Sequence, residues 1–305
     1  MKTALRVTIG KLTFPNPVMA ASGTFGVGEE YGAFFRIGSL GAIVTKTITL
    51  KPRIGNPPDR VVETSSGMLN SIGLENKGLR GFLESSLPFL KKLTVPVIVS
   101  IAGESAREFA ELTRSLDDVR RVAAVELNLS CPNVGHTTRM MAQDEKAAFS
   151  VVRAAKQSAR RIGVIAKLSP KVTDIGAIAY AAERAGADAV SLINTVPGVA
   201  IDIHSKRSRL GMPSGGLSGP AIKPIALEAV REARRAVDIP IIGVGGIMTA
   251  EDAIEFILCG ASAVQVGTAS FVNPKAALEV LEGIKKYAAK QNVRNISELV
   301  GAAWD

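Results

Sequence analysis

Eight short runs of apolar, largely β-branched residues recur along this 305-residue chain, at 17–22, 41–47, 95–101, 122–130, 163–169, 187–195, 239–246 and 261–268. They are continuous rather than alternating in polarity, the pattern of strands buried on both faces, and such strands belong to parallel sheets covered by helices. Helix signals fall between them. Ser105, Asp144, Asp174 and Thr249 stand as N-caps, and Gly186 and Gly260 as stops. Gly186 to Ala189 and Gly260 to Ala263 repeat one short helix-to-strand connection. Eight β-then-α units predict an α/β chain of class (β/α)8, a TIM barrel, organised as one domain over residues 1–305. The opening VTIGKLTFPNP predicts a small hairpin over the barrel's bottom. An open doubly wound sheet accommodates eight parallel strands less readily.

Composition narrows the setting. Apolar residues make up 47% and charged residues 21%, enough to bury a sizeable core. Two cysteines, Cys131 and Cys259, cannot build a disulfide framework, so a cytoplasmic location is expected. The N-terminus lacks a signal-like apolar run, and no stretch approaches the ~18 apolar residues of a membrane span. The net charge is +9, but the basic residues are scattered as Arg120-Arg121, Arg160-Arg161, Arg234-Arg235, Lys285-Lys286 and the run Lys206, Arg207, Arg209. Such pairs at helix ends read as solvated faces, and neither a nucleic-acid nor a membrane partner is expected.

The longest connections, 48–76, 131–143 and 196–219, all follow strand C-termini, the face on which barrels build their sites. The polar residues at those ends are Ser22, Lys46, Ser100, Asn128, Lys167, and Asn194 with Thr195. A lysine inside an apolar strand is costly unless it is paired or faces a site. One such lysine fits a structural ion pair equally well. Two lysines and two asparagines at equivalent positions of different strands point to one pocket. Gly245-Gly246 and Gly267-Thr268 follow the last two strands, with GGLSG at 215–219 before them; bare backbone there suits a phosphate. Cys131 sits just past the fourth run among Asn128, Ser130 and Asn133, placed for a nucleophile or a general base. Neither His136 nor His204 makes a persuasive Cys–His pair, which favours the base. Cys259, inside an apolar helix, reads as a small buried hydrophobe. No metal-ligand spacing is present, so no metal is expected.

Ala21-Ser22-Gly23, Thr45-Lys46-Thr47, Asn70-Ser71-Ile72-Gly73-Leu74, Asn128 to Asn133, Lys167, Asn194-Thr195, Gly245-Gly246 and Gly267-Thr268 together resemble the dihydroorotate dehydrogenases, over nearly the whole chain. The cysteine of NLSCPN is similar to class 1 of that family, and Asn194-Thr195 with NSIGLENKG to its NAD-linked type 1B catalytic subunits. Ser100 departs from the asparagine common there, and Glu75 and Lys77 from Gln and Pro. The resemblance implies FMN in the barrel mouth, lined by Ser22, Lys46, Thr47, Ser100, Asn128, Lys167, Ile193, Gly219, Gly245, Gly246, Gly267 and Thr268. It implies oxidation of (S)-dihydroorotate to orotate in pyrimidine synthesis. Lys46, Asn70, Ser71, Ile72, Gly73, Leu74, Asn128, Asn194 and Thr195 would bind substrate. Cys131 would take the C5 proton, hydride would pass from C6 to flavin N5, and Lys167 would stabilise the charge that develops.

The same resemblance implies that FAD, an iron–sulfur cluster and NAD lie on a separate electron-transfer subunit, in a heterotetramer built on a homodimer of this chain. Two cysteines are too few to hold a cluster, no GxGxxG follows a strand, and an acidic or neutral partner would suit the +9 charge. The rival readings are a fumarate-using type 1A enzyme, a dihydropyrimidine dehydrogenase, a tRNA dihydrouridine synthase and a non-catalytic barrel scaffold. The second would carry His where Asn133 stands, the third an additional helical RNA-binding domain. The scaffold would have no need of Lys46, Cys131 and Lys167 together.

Overall fold

The predicted apolar runs become strands whose side chains are buried on both faces. The computed structural model describes residues 3–130 and 141–304. Among these, eight parallel strands close into a barrel: β1 (Val18–Ala20), β2 (Ala42–Val44), β3 (Val97–Ile101), β4 (Val122–Asn128), β5 (Gly163–Lys167), β6 (Ala189–Leu192), β7 (Ile241–Val244) and β8 (Ala263–Val266). Each pairs with its neighbour in sequence, and β8 returns to β1 with Val264 opposite Val18. A closed sheet has no edge to protect, which fits the unbroken apolar character of every strand. The fold is the expected (β/α)8 barrel.

The four N-caps hold as read: Ser105, Asp144, Asp174 and Thr249 each accept a backbone N–H of the helix that follows, at Ala106–Asp117, Glu145–Ser158, Ile175–Arg184 and Ala250–Cys259. The helical segment 78–90, with a π-helical turn at Phe82–Ser86, and helices Lys223–Ala236 and Ala276–Lys290 complete the outer ring. The first crossover departs from the expected β-then-α regularity. Between β1 and β2 the chain runs through two short 3-10 segments, Glu30–Ala33 and Ile37–Ser39. Gly23, Gly26 and Gly28 all have positive φ in that stretch, and such backbone does not propagate an α-helix. Phe25, Phe35 and Ile37 cover the barrel wall instead.

The expected hairpin is Val7–Ile9 paired antiparallel with Leu12–Phe14. It caps the N-terminal rim, where Gly10 lies against Asp188 and Leu12 against Gly163. Two of the basic pairs are structural there, which corrects the solvated-face reading. Arg161 donates to the carbonyls of Asp117, Val119 and Val122. Arg121 donates to Leu90 O at 2.9 Å and to Val95 O. Lys285-Lys286 lies inside its helix rather than at the end.

At the opposite rim, two of the long connections are not irregular. Val61–Thr64 and Gly67–Asn70, after β2, join Val196–Gly198 and Gly215–Ser218, after β6, in one antiparallel sheet across the mouth. Val62, Leu69 and Leu210 form its own small apolar cluster.

Candidate active site

The mouth sheet and the C-terminal strand ends enclose a cavity of about 580 Å³. Lys46 lies two residues beyond β2, while Asn128 and Lys167 end β4 and β5 and are register partners. Ser22, Thr47, Ser100, Ile193, Asn194, Thr195, Gly219, Gly245, Gly246, Gly267 and Thr268 line the same space, as do Asn70, Ser71, Ile72, Gly73 and Leu74 from the sheet side. The remaining candidate, Cys131, lies outside the described residues. Its neighbour Ser130 lines the cavity, with a buried hydroxyl that has no partner among the described residues.

One wall is a row of hydroxyls. Ser22 Oγ donates to Thr45 O at 2.8 Å and lies 3.3 Å from Thr47 Oγ1, which is 2.8 Å from Ser100 Oγ. Opposite, Asn194 Nδ2 donates to Asn128 Oδ1 at 3.2 Å. From the sheet, Asn70 Nδ2 donates to Gly216 O at 3.1 Å, and Asn56 Nδ2 donates to Ser71 Oγ at 2.9 Å. The Ser71 N–H is already committed to Arg60 O. Of that loop's N–H groups, those of Ile72, Gly73 and Leu74 have no acceptor among the described residues.

The glycines divide into two kinds. Gly245 and Gly246 have φ of +127° and +77°, and a Cβ on Gly246 would crowd the backbone of Lys223. Their lack of a side chain is explained within the protein. Gly267 has no such constraint, since a Cβ there would make ordinary contact with Ala21. Its bare backbone faces the cavity beside Thr268, whose Oγ1 donates to Ser218 Oγ at 2.8 Å. Exposed backbone, hydroxyls and the cations of Lys46 and Lys167, joined by Lys171, fit an anionic, phosphate-bearing group in this cavity.

The two lysines are held differently. Lys46 is partly buried, and that burial lowers its pKa from the usual 10.5; Glu75 opposes the shift and Arg60 adds to it. Lys167 is 7% exposed, and its Nζ lies 3.7 Å from Oε1 of Glu126, which is fully buried. Lys167 thus meets both sequence readings: it faces the cavity, and it has an ion-pair partner. Glu126 was overlooked in the sequence although it is legible by the same rule, a charge inside the apolar run VAAVELN. Gln265, which donates to Glu126 Oε2 at 2.6 Å, is a second overlooked polar residue in a strand. Lys171 and Asn56 also line the cavity, from loops whose paths no local pattern reveals.

Similarity to known proteins agrees with this arrangement. Residues 4–287 match the family model described as dihydroorotate dehydrogenase. Three relatives carry the name "Dihydroorotate dehydrogenase B (NAD(+)), catalytic subunit". The protein of Trichlorobacter lovleyi is 52% identical, covering 99% of both chains. That of Geobacter sulfurreducens is 51% identical over 99% of this chain and 98% of its own. That of Desulforamulus reducens is 53% identical over 99% of each. With the match spanning every barrel strand, this chain belongs to the dihydroorotate dehydrogenase family.

Proposed function

We propose that this chain oxidises (S)-dihydroorotate to orotate in pyrimidine biosynthesis, with FMN in the barrel mouth and NAD as final acceptor through a separate electron-transfer subunit. The observation that carries the reading is the convergence of Lys46 and Lys167 on one cavity floored by the ends of β2 and β5. When bound, FMN supplies the hydride acceptor. Ser22, Thr47, Ser100, Asn128, Ile193 and Lys167 would hold its ring, and Gly219, Gly245, Gly246, Gly267 and Thr268 its phosphate.

Lys167 places a fixed cation where negative charge develops, and a preorganised charge in a water-poor site lowers the barrier without reorganising. Lys46 attracts the anionic substrate from the opposite side. Asn70, Asn128, Asn194 and Thr195 offer amide and hydroxyl groups to the substrate ring, and the free N–H groups of Ile72, Gly73 and Leu74 offer donors to its carboxylate. Cys131, the next residue in sequence after the cavity-lining Ser130, would take the C5 proton.

FAD, the iron–sulfur cluster and the NAD site are assigned to the partner, in a heterotetramer built on a homodimer of this chain. The presence of only two cysteines supports that assignment and a cytoplasmic setting. Among the described residues no helix is long and apolar enough to cross a membrane.

An anaerobic absorbance trace tests the reading. The purified chain is expected to be yellow, to bleach with dihydroorotate, and to pass electrons to NAD only when the electron-transfer subunit is added. Yellow protein that never bleaches would refute the substrate, and reoxidation by fumarate alone would refute the acceptor. Cys131→Ala should keep FMN while slowing bleaching by about two to four orders of magnitude.

A further inference from the structure

Beneath the cavity, inside the barrel, four strands contribute polar side chains to one closed cluster. Glu126 stands on β4, Lys167 on β5, Ser191 on β6 and Gln265 on β8. Glu126, Ser191 and Gln265 are fully buried. The carboxylate is asymmetrically satisfied: Oε2 accepts Ser191 Oγ at 3.0 Å and Gln265 Nε2 at 2.6 Å. Oε1 accepts no hydrogen bond from any described residue and faces Lys167 Nζ at 3.7 Å.

That distance suits charge attraction but is too long for a hydrogen bond. The ammonium is therefore held without spending its N–H donors on the carboxylate. A barrel core is ordinarily filled by branched apolar side chains, and a buried ion pair seldom improves on them for stability. A core that keeps this pair calls for a role beyond packing.

We propose that Glu126 is the positioning residue for Lys167: anchored from one side by Ser191 and Gln265, its carboxylate fixes the ammonium at the cavity floor and sets the positive potential there. The proposal rests on the reading that Lys167 lies beside bound FMN. With its counter-ion removed, Lys167 would present an uncompensated charge to the cavity.

Sulfite bleaching of the flavin in the FMN-loaded full chain reads this potential without substrate or turnover. Relative to the parent, Glu126→Gln should bind sulfite about tenfold more tightly. In a Lys167→Met background the same substitution should change nothing. Ser191→Ala removes one donor and leaves more of the carboxylate's charge to act on Lys167. It should shift sulfite binding the opposite way, and it serves as the second variant if Glu126→Gln does not fold.

An equal shift with and without Lys167 would overturn the proposal, because Glu126 would then act on the flavin directly or through packing and not through the lysine. So would unchanged sulfite binding in the Glu126 or Ser191 variants while Lys167→Met alone shifts it. Indifference to Lys167→Met itself has a separate meaning: it would remove Lys167 from the flavin's side and refute the underlying reading.

Discussion

Two of the lysines that line the cavity, Lys46 and Lys167, have different electrostatic support. Lys167 has a buried carboxylate 3.7 Å away. Lys46 has no ion-pair partner among the described residues, because Glu75 is engaged with Arg60. Burial disfavours the Lys46 ammonium, so its proton leaves at a lower pH than the ordinary 10.5. Since kcat/KM reports the free enzyme, its alkaline limb for dihydroorotate is expected below that value, with affinity lost as pH rises through it. Lys46→Arg should move the limb beyond the measurable range, since a guanidinium does not deprotonate there. A pH profile of both proteins checks this, and an unmoved limb would assign it to another group. At this scale the sequence revealed which residues are polar in apolar strands, Lys46 and Lys167 among them. It did not reveal which of them touch: the contact of Gln265 with Glu126 spans 139 positions.

Among the elements, connections carry much of what holds the site in place. Asp117 ends the helix before β4, and its Oδ1 accepts the N–H groups of Arg160, Arg161 and Ile162 at 3.2, 2.9 and 3.0 Å. Burial raises its pKa, but those three bonds and the Arg161 charge outweigh burial and leave it below the usual 3.8. A depressed carboxyl contributes stability above its unfolded pKa and loses it as pH falls through the folded value. Asp117→Ala should therefore cost about 1–2 kcal/mol in urea unfolding at neutral pH, with the gap to the parent closing in acid below about pH 4. The mouth sheet yields a different outcome. A Cβ on Gly216 would overlap Thr195 Oγ1, and Gly216 O also accepts Asn70. Gly216→Ala should raise the KM for dihydroorotate about tenfold or more by displacing both residues, with thermal melting close to the parent's. Steady-state kinetics beside a melt would show it. Strands and N-caps were legible because their signals are local. The mouth sheet was not, since its strands are three or four residues long and two of them pair across about 150 positions.

Over the whole molecule, the +9 charge bears on association. With an acidic electron-transfer subunit, the affinity should fall about tenfold or more between about 50 and about 500 mM NaCl, as screening shortens the reach of surface charge. Titration calorimetry would measure it, and a salt-independent affinity would point to an apolar interface instead. Part of that charge is already used internally, since Arg121 and Arg161 tie loops together at the barrel's bottom. The sequence by itself determined the alternation of strands and helices, their caps, and the set of polar residues at strand C-termini, because each depends on a periodicity or spacing of a few residues. Only the tertiary structure decided that Lys167 is paired with Glu126, that two distant connections form one sheet over the mouth, and that Arg161 is a structural brace. These follow from the lateral pairing of neighbouring strands and from the meeting of distant connections over the mouth, which place side chains remote in sequence a few ångströms apart, where desolvation and charge select the partner.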